Sequence, residues 1–183
     1  MRASIRQLTW PVVAMMGVLV LTPRAHTEES DPAALAAALE KAPTSLEQGL
    51  RASEKSGKPI SAKFEIDDGK LQLSIYTMTA DAFSEVVVAP DTGDVIKTKK
   101  ITDADDLKGA TEQKAAIEKA STTLIAATEH ALGQNTGSRA VSIFPELQSG
   151  HPVATVTLLS NGRLTKIAEK LNYADDSQSA LHR

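Results

Sequence analysis

From Ile60 the chain alternates with a period of two. Ile60, Ala62, Phe64 and Ile66 share one face, Asp68-Gly69 interrupts, and Leu71, Leu73 and Ile75 resume the alternation. This pattern predicts a β-hairpin, because side chains two apart in a strand point the same way and Asp-Gly suits a two-residue turn. A third strand is predicted around Glu85–Ala89 and a fourth around Val95–Lys99, with Pro90-Asp91-Thr92-Gly93 between them. Upstream the period is helical. Leu35 and Leu39 lie four apart after Asp31, the predicted N-cap, and Pro32, the predicted first helical residue; Pro43 ends or bends that helix. Thr44-x-x-Glu47 then matches a capping box, Leu46 and Leu50 form the next apolar stripe, and Gly57 is the predicted stop.

Residues 103–134 read as helix again, opening with acidic side chains that suit a helix N-terminus. Leu107, Ala110, Lys114 and Ile117 define its stripe, Ser121-Thr122-Thr123 breaks it, and Leu124, Thr128, Ala131 and Leu132 continue it. Three further strands follow, in RAVSIF, PVATVTLL and RLTKIAEKL, punctuated by Ser149-Gly150 and Asn161-Gly162. The polar residues 174–183 predict a flexible tail.

The two halves resemble each other. Thr44-Ser45-Leu46 aligns with Thr122-Thr123-Leu124, Gly57 with Gly137, Phe64 with Phe144, and Gly69 with Gly150. Such agreement points to a duplicated α+β unit. The predicted fold class is therefore α+β, with two tandem modules over residues 31–101 and 102–173. Each would pack a helix or helices on an antiparallel sheet of three to four strands.

Composition bounds the chemistry. Of 183 residues 42% are hydrophobic but only 3% aromatic, so the core rests on Ala, Val, Leu and Ile. The absence of cysteine removes disulfides, thiol nucleophiles and cysteine-based zinc sites. Arg2 and Arg6 precede an uncharged stretch from Gln7 to Pro23 whose apolar centre, Trp10 to Leu21, is too short to span a bilayer as a helix. Residues 1–25 thus predict a signal peptide, either cleaved after Ala25 or kept as an anchor, and in both cases an exported chain, periplasmic or secreted. Taking Arg2, Arg6 and Arg24 from the 20 basic residues leaves 17 against 23 acidic ones. That surface repels nucleic acid and anionic lipid, so neither is an expected partner, and no membrane contact is expected beyond the signal segment.

Asp91-Thr92-Gly93 after an apolar run raises the question of an aspartic peptidase. Such chemistry needs two carboxylates sharing a proton about 3 Å apart. The chain holds one Asp-Thr-Gly, and Asp94 follows it where those enzymes carry Ser or Ala. The turn reading is simpler. Pro90 fixes φ at the second turn position, Asp91 can bond the backbone two residues on, and Gly93 can take positive φ. His26, His130, His151 and His182 show no metal-ligand spacing, and no Gly-x-Ser-x-Gly elbow or phosphate-binding glycine loop is present. No catalytic, cofactor or metal residue is assigned, and the chain is not expected to be an enzyme. Lys97, Lys99 and Lys100 read as a solvated strand edge or as a docking point for an acidic partner.

The helix starting at Ser/Thr-Leu, the glycine before the first strand, the strand pair and the ending VVVAPDTGDVIKTKK together resemble a PepSY domain. The resemblance covers about residues 33–101, and its weightiest part is the apolar-Asp-x-x-Thr-Gly-x-apolar ending. The chain departs from the family by placing Ala89-Pro90 before Asp91, and no Asp-x-x-Thr-Gly follows Leu171. The resemblance implies an antiparallel sheet with a helix across one face, found in exported bacterial proteins, and a peptidase-binding or peptidase-inhibiting role. The leading expectation is an exported, non-catalytic binding protein whose partner is another protein, a peptidase foremost. The alternative is a periplasmic carrier of a small molecule or ion held in a cleft between modules.

Overall fold

The computed structural model describes residues 31–172. The signal segment 1–25, its cleavage site, His26, His182 and the tail 174–183 lie outside the described residues. The chain runs α1 (Pro32–Leu39), α2 (Leu46–Ser53), a 3-10 turn (Glu54–Ser56), β1 (Lys58–Asp67), β2 (Lys70–Met78), β3 (Phe83–Val88), β4 (Val95–Lys100), α3 (Ala104–Lys119), α4 (Leu124–Gln134), β5 (Arg139–Gln148), β6 (His151–Ser160) and β7 (Arg163–Lys170).

The α+β class and the antiparallel pairing agree with the sequence, but the two expected sheets are one. All seven strands join in the order β4-β3-β2-β1-β5-β6-β7. The join is the antiparallel pairing of Ala62 with Ile143 and Lys63 with Ser142. Left apart, β1 and β5 would each present a row of unpaired backbone groups beside a hydrophobic face, and pairing satisfies both at once.

Local chemistry explains the elements. Asp68-Gly69, Ser149-Gly150 and Asn161-Gly162 each place two consecutive residues at positive φ, the twist that a two-residue hairpin requires. Asp31 caps α1 by accepting from the Ala33 N–H at 3.0 Å, and Asp103 caps α3 by accepting from Asp105 and Asp106. The capping box of α2 sits one residue later than the sequence suggests. Ser45 Oγ accepts from the Gln48 N–H, and Gln48 Oε1 accepts from the Ser45 N–H. Thr44 is displaced inward and is only 4% exposed, because it bonds the turn after β3 instead. In α3 the buried positions are Ala110, Ala116 and Ile117, while Lys114, expected on the stripe, pairs with Glu118 on the outside.

The sheet is covered on both faces. Leu73 and Ile75 are fully buried under α2, where Gly49 leaves room for Leu73; a methyl on Gly49 would overlap Leu73 Cδ2. Burying two such aliphatic side chains stabilises the fold by about 1.5–3 kcal/mol each. The pair Arg51–Glu129 joins α2 to α4, and His130 on α4 meets Glu169, which shares the face of Ala154. Helix α3 crosses the opposite face. Its Gln113 accepts from Ser61 Oγ and its Asp106 accepts from Tyr76 Oη, and Ser61 and Tyr76 are paired on the face opposite to Leu73 and Ile75.

The first strands of the two halves share a further detail. A register shift lies between Pro59 and Ser61 in β1 and between Ala140 and Ser142 in β5. Counted from these shifts, Phe144 stands where Lys63 stands, not where Phe64 does. Phe64 is therefore buried and Phe144 is 36% exposed, which corrects the Phe64–Phe144 alignment. The same count places Ala62 level with Ile143, and these two residues pair at the centre of the sheet.

Candidate functional site

The Pro90–Gly93 segment connects β3 to β4 as a closed loop. The Ala89 N–H donates to Asp94 O, and the Gly93 N–H donates to Ala89 O, both at 2.9 Å. Gly93 has φ +77°, the conformation expected of it, where a side chain is strained. The side-chain bond across the loop comes from Thr92, whose Oγ1 accepts from the Asp94 N–H at 3.3 Å, not from Asp91. Asp91 itself is exposed. The loop is held from inside by Thr44, whose N–H donates to Pro90 O and whose hydroxyl donates to Ala89 O.

Strand β4 leaves this loop as one edge of the sheet, and all six of its residues are exposed. Val95 is 41% and Ile96 65% exposed, unusual for side chains of that size. Lys97 and Lys99 lie opposite Val87 and Glu85, on the α3 side of the sheet, whereas Lys100 lies opposite Ser84 and projects from the other face. The three lysines therefore share an edge but not a face.

Inward from β4 the α3 side of the sheet is polar. Glu65 pairs with Lys63, accepts from Gln72 Nε2 at 3.0 Å and from Ser74 Oγ at 2.8 Å, and Ser74 also reaches Glu85. Burial acts to raise the Glu65 carboxyl, but hydrogen bonds from Lys63, Gln72 and Ser74 outweigh it and hold the group below the usual carboxylate range. Burial first, and then the hydrogen bond to Asp106, push the Tyr76 phenol well up, so it remains a donor. Between this network and α3 lies a cleft of about 200 Å³ bordered by Lys63, Tyr76, Asp106, Gln113 and Phe144.

A second cleft, about 230 Å³, opens where the halves meet. Leu50 and Pro59 come from the first half, and Ile117, Leu124 and Ile125 from the second, with Glu54, Lys58 and Thr122 at its rim. Sequence reasoning missed these contributors, because helix ends from both halves converge there only after the sheet has joined.

The halves are also tied by Arg139 of β5. Its guanidinium donates to the carbonyl oxygens of Leu39, Ala42 and Thr44 at 2.6–2.7 Å and lies over the Phe64 ring. Burial lowers its pKa, with Glu47 acting in the opposite direction. Its role was hidden in the sequence, since an arginine opening a strand gives no sign of carbonyls some hundred residues upstream.

His130 Nδ1 lies 2.8 Å from Glu169 Oε2, and His151 is exposed at the start of β6. Among the described residues no group of three or more His, Cys, Asp or Glu is placed to hold a metal ion. No helix among them is long and apolar enough to cross a membrane.

No family model matches the sequence, and no curated protein matches it. Among solved structures the chain is similar to a candidate lipoprotein of Clostridium difficile 630. The identity is 16%, the match covers 66% of this chain and 80% of that one, and the TM-score is 0.39.

Proposed function

We propose that the chain is an exported, non-catalytic binding protein built from two PepSY-like modules fused through β1 and β5, and that it acts on a protein partner, a peptidase foremost. The exposed edge strand β4 carries this reading. Nothing among the described residues covers it, and it displays apolar side chains beside unpaired backbone groups. An edge of this kind accepts an extended segment as an added strand, with backbone bonds giving affinity and side chains giving selectivity. Asp91 serves the loop that launches β4 and performs no chemistry. Export rests on the basic and apolar pattern of residues 1–25. The test is capture from a periplasmic extract followed by assay of the captured peptidase with the pure protein added. Dose-dependent inhibition supports the reading, and an unaffected peptidase, or recovery of none, counts against it.

The cleft between the halves favours a second reading, a carrier of a small apolar molecule. It has an apolar floor of Leu50, Ile117 and Ile125 and a polar rim, the usual make-up of a small-ligand site. A ligand of this kind raises the melting temperature with concentration, and Ile125→Trp, which fills the cleft, removes the rise.

A further inference from the structure

The backbone of β4 has a defined direction of approach. The Ile101 N–H donates to Phe83 O at 3.0 Å, which makes Phe83 and Ile101 a hydrogen-bonded pair. In an antiparallel ladder such pairs alternate, so Glu85/Lys99 and Val87/Lys97 also exchange bonds across the ladder. Thr98 and Lys100, between and beyond them, aim N–H and C=O away from the sheet. A strand arriving at this edge would bond Thr98 and Lys100 and lay its side chains beside Lys97 and Lys99 on one face and Thr98 and Lys100 on the other; Ile96, at the register shift, lies outside this alternation.

From this geometry we infer that β4 is a strand-addition site selective for an extended acidic segment, one in which Glu or Asp alternates with Val, Ile or Thr. The inference rests on the protein-binding reading above and names the chemistry of the partner. Lysines on a sheet edge exclude neutral strands and strands of like charge, because cross-strand side chains come within about 5 Å. A second copy of β4 would set Lys97 and Lys99 against the same lysines, which disfavours self-pairing. An acidic strand turns that repulsion into attraction, so the charges that prevent aggregation also select the partner. The other edge differs. In β7, Leu164 and Ile167 pack partly into the core and Glu169 is held by His130 of α4, whereas every residue of β4 faces solvent.

The test uses the full chain and a fluorescent, capped peptide of alternating Glu and Val, with a Lys-for-Glu version as control, read by anisotropy. The acidic peptide should bind at least tenfold more tightly than the control and weaken as salt rises. Thr98→Pro removes an outward N–H without touching the bonds to β3, and should abolish binding while circular dichroism and melting temperature hold. If that variant unfolds, Lys97→Glu with Lys99→Glu decides the matter: peptide preference should reverse. Equal binding of the two peptides, or an unchanged preference in the reversed variant, overturns the proposal. So does a dimer of the unmodified chain that Thr98→Pro disperses while neither peptide binds. A peptidase inhibited equally by wild type and Thr98→Pro would leave the broader reading standing and sink this one. Acidic-peptide binding without any peptidase partner would do the reverse.

Discussion

Gly57 and Gly137 hold matching places, each just ahead of the first strand of its half, yet their surroundings differ. Gly57 has φ +147°, and a Cβ there would meet Met78 O, a backbone atom, at 2.7 Å. Gly137 has φ +80° and nothing within 4 Å of the same point. The first half spends its glycine on close packing against β2; the second uses one only to turn the chain. The launching loops differ in the same sense. The first half turns from β3 into β4 through a loop bonded to Thr44, and the second turns from β6 into β7 through a two-residue Asn161-Gly162 turn. The first half is thus packed from several directions, while the second is a plainer meander.

Substitutions break this comparison in graded steps. Arg139→Ala strips three charge-assisted bonds from buried carbonyls and should cost about 3 kcal/mol in urea denaturation. A loss under about 1 kcal/mol would mean that the first half does not lean on the second. Gly57→Ala should cost about 2–3 kcal/mol, since backbone cannot yield to the new methyl, against about 1 kcal/mol for Gly137→Ala. Equal costs by thermal melting would mean that Gly57 is no more tightly packed than Gly137. Ser45→Ala, which opens the capping box of α2, should cost about 1 kcal/mol. Asp91→Asn should shift stability by less than about 0.5 kcal/mol, as for an ordinary exposed position.

The polar face adds a pH test. The Glu65 carboxyl titrates lower in the folded chain than its ordinary value of 4.5. A group with a depressed folded pKa contributes stability above its unfolded pKa and loses that contribution as pH falls through the folded one. Wild type should therefore lose more stability than Glu65→Gln between neutral pH and acid below the ordinary value, measured as parallel melting curves. Identical acid profiles would show that the network around Ser74 does not favour the ionised carboxylate.

Much of the local structure was legible because it is written in local chemistry. Asp68-Gly69 and Asn161-Gly162 marked their hairpins, and Ser121-Thr122-Thr123 marked the break between α3 and α4. The capping box slipped by one residue because Thr44 and Ser45 are both competent caps and Glu47 and Gln48 both competent partners. Only the burial of Thr44 against the Pro90 loop decides between them. The joining of β1 to β5 was not legible, since backbone groups pair without regard to side-chain identity. The position of α3 was equally hidden. Ser61, Ser74 and Ser142 share one face of the sheet, and nothing local in the sequence announces a helix whose Gln113 and Asp106 answer that face with hydrogen bonds. At the candidate site the sequence located β4, its lysines and the loop, but not the direction in which its free backbone points.

The Arg139 clamp also sets an order in time. The carbonyls it holds lie 95 to 100 residues ahead of it, and the residues of β5 that pair with β1 follow their partners by 79 and 81 residues. A chain emerging N-terminus first has all of α1, α2 and β1–β4 available long before β5 arrives, and in that interval β1 is a second open edge. Long-range pairing of this kind is slow because the loop between its ends must close before the contacts form. The last strands to emerge thus decide when β1 ceases to be an open edge, and in the finished sheet the edges are β4 and β7.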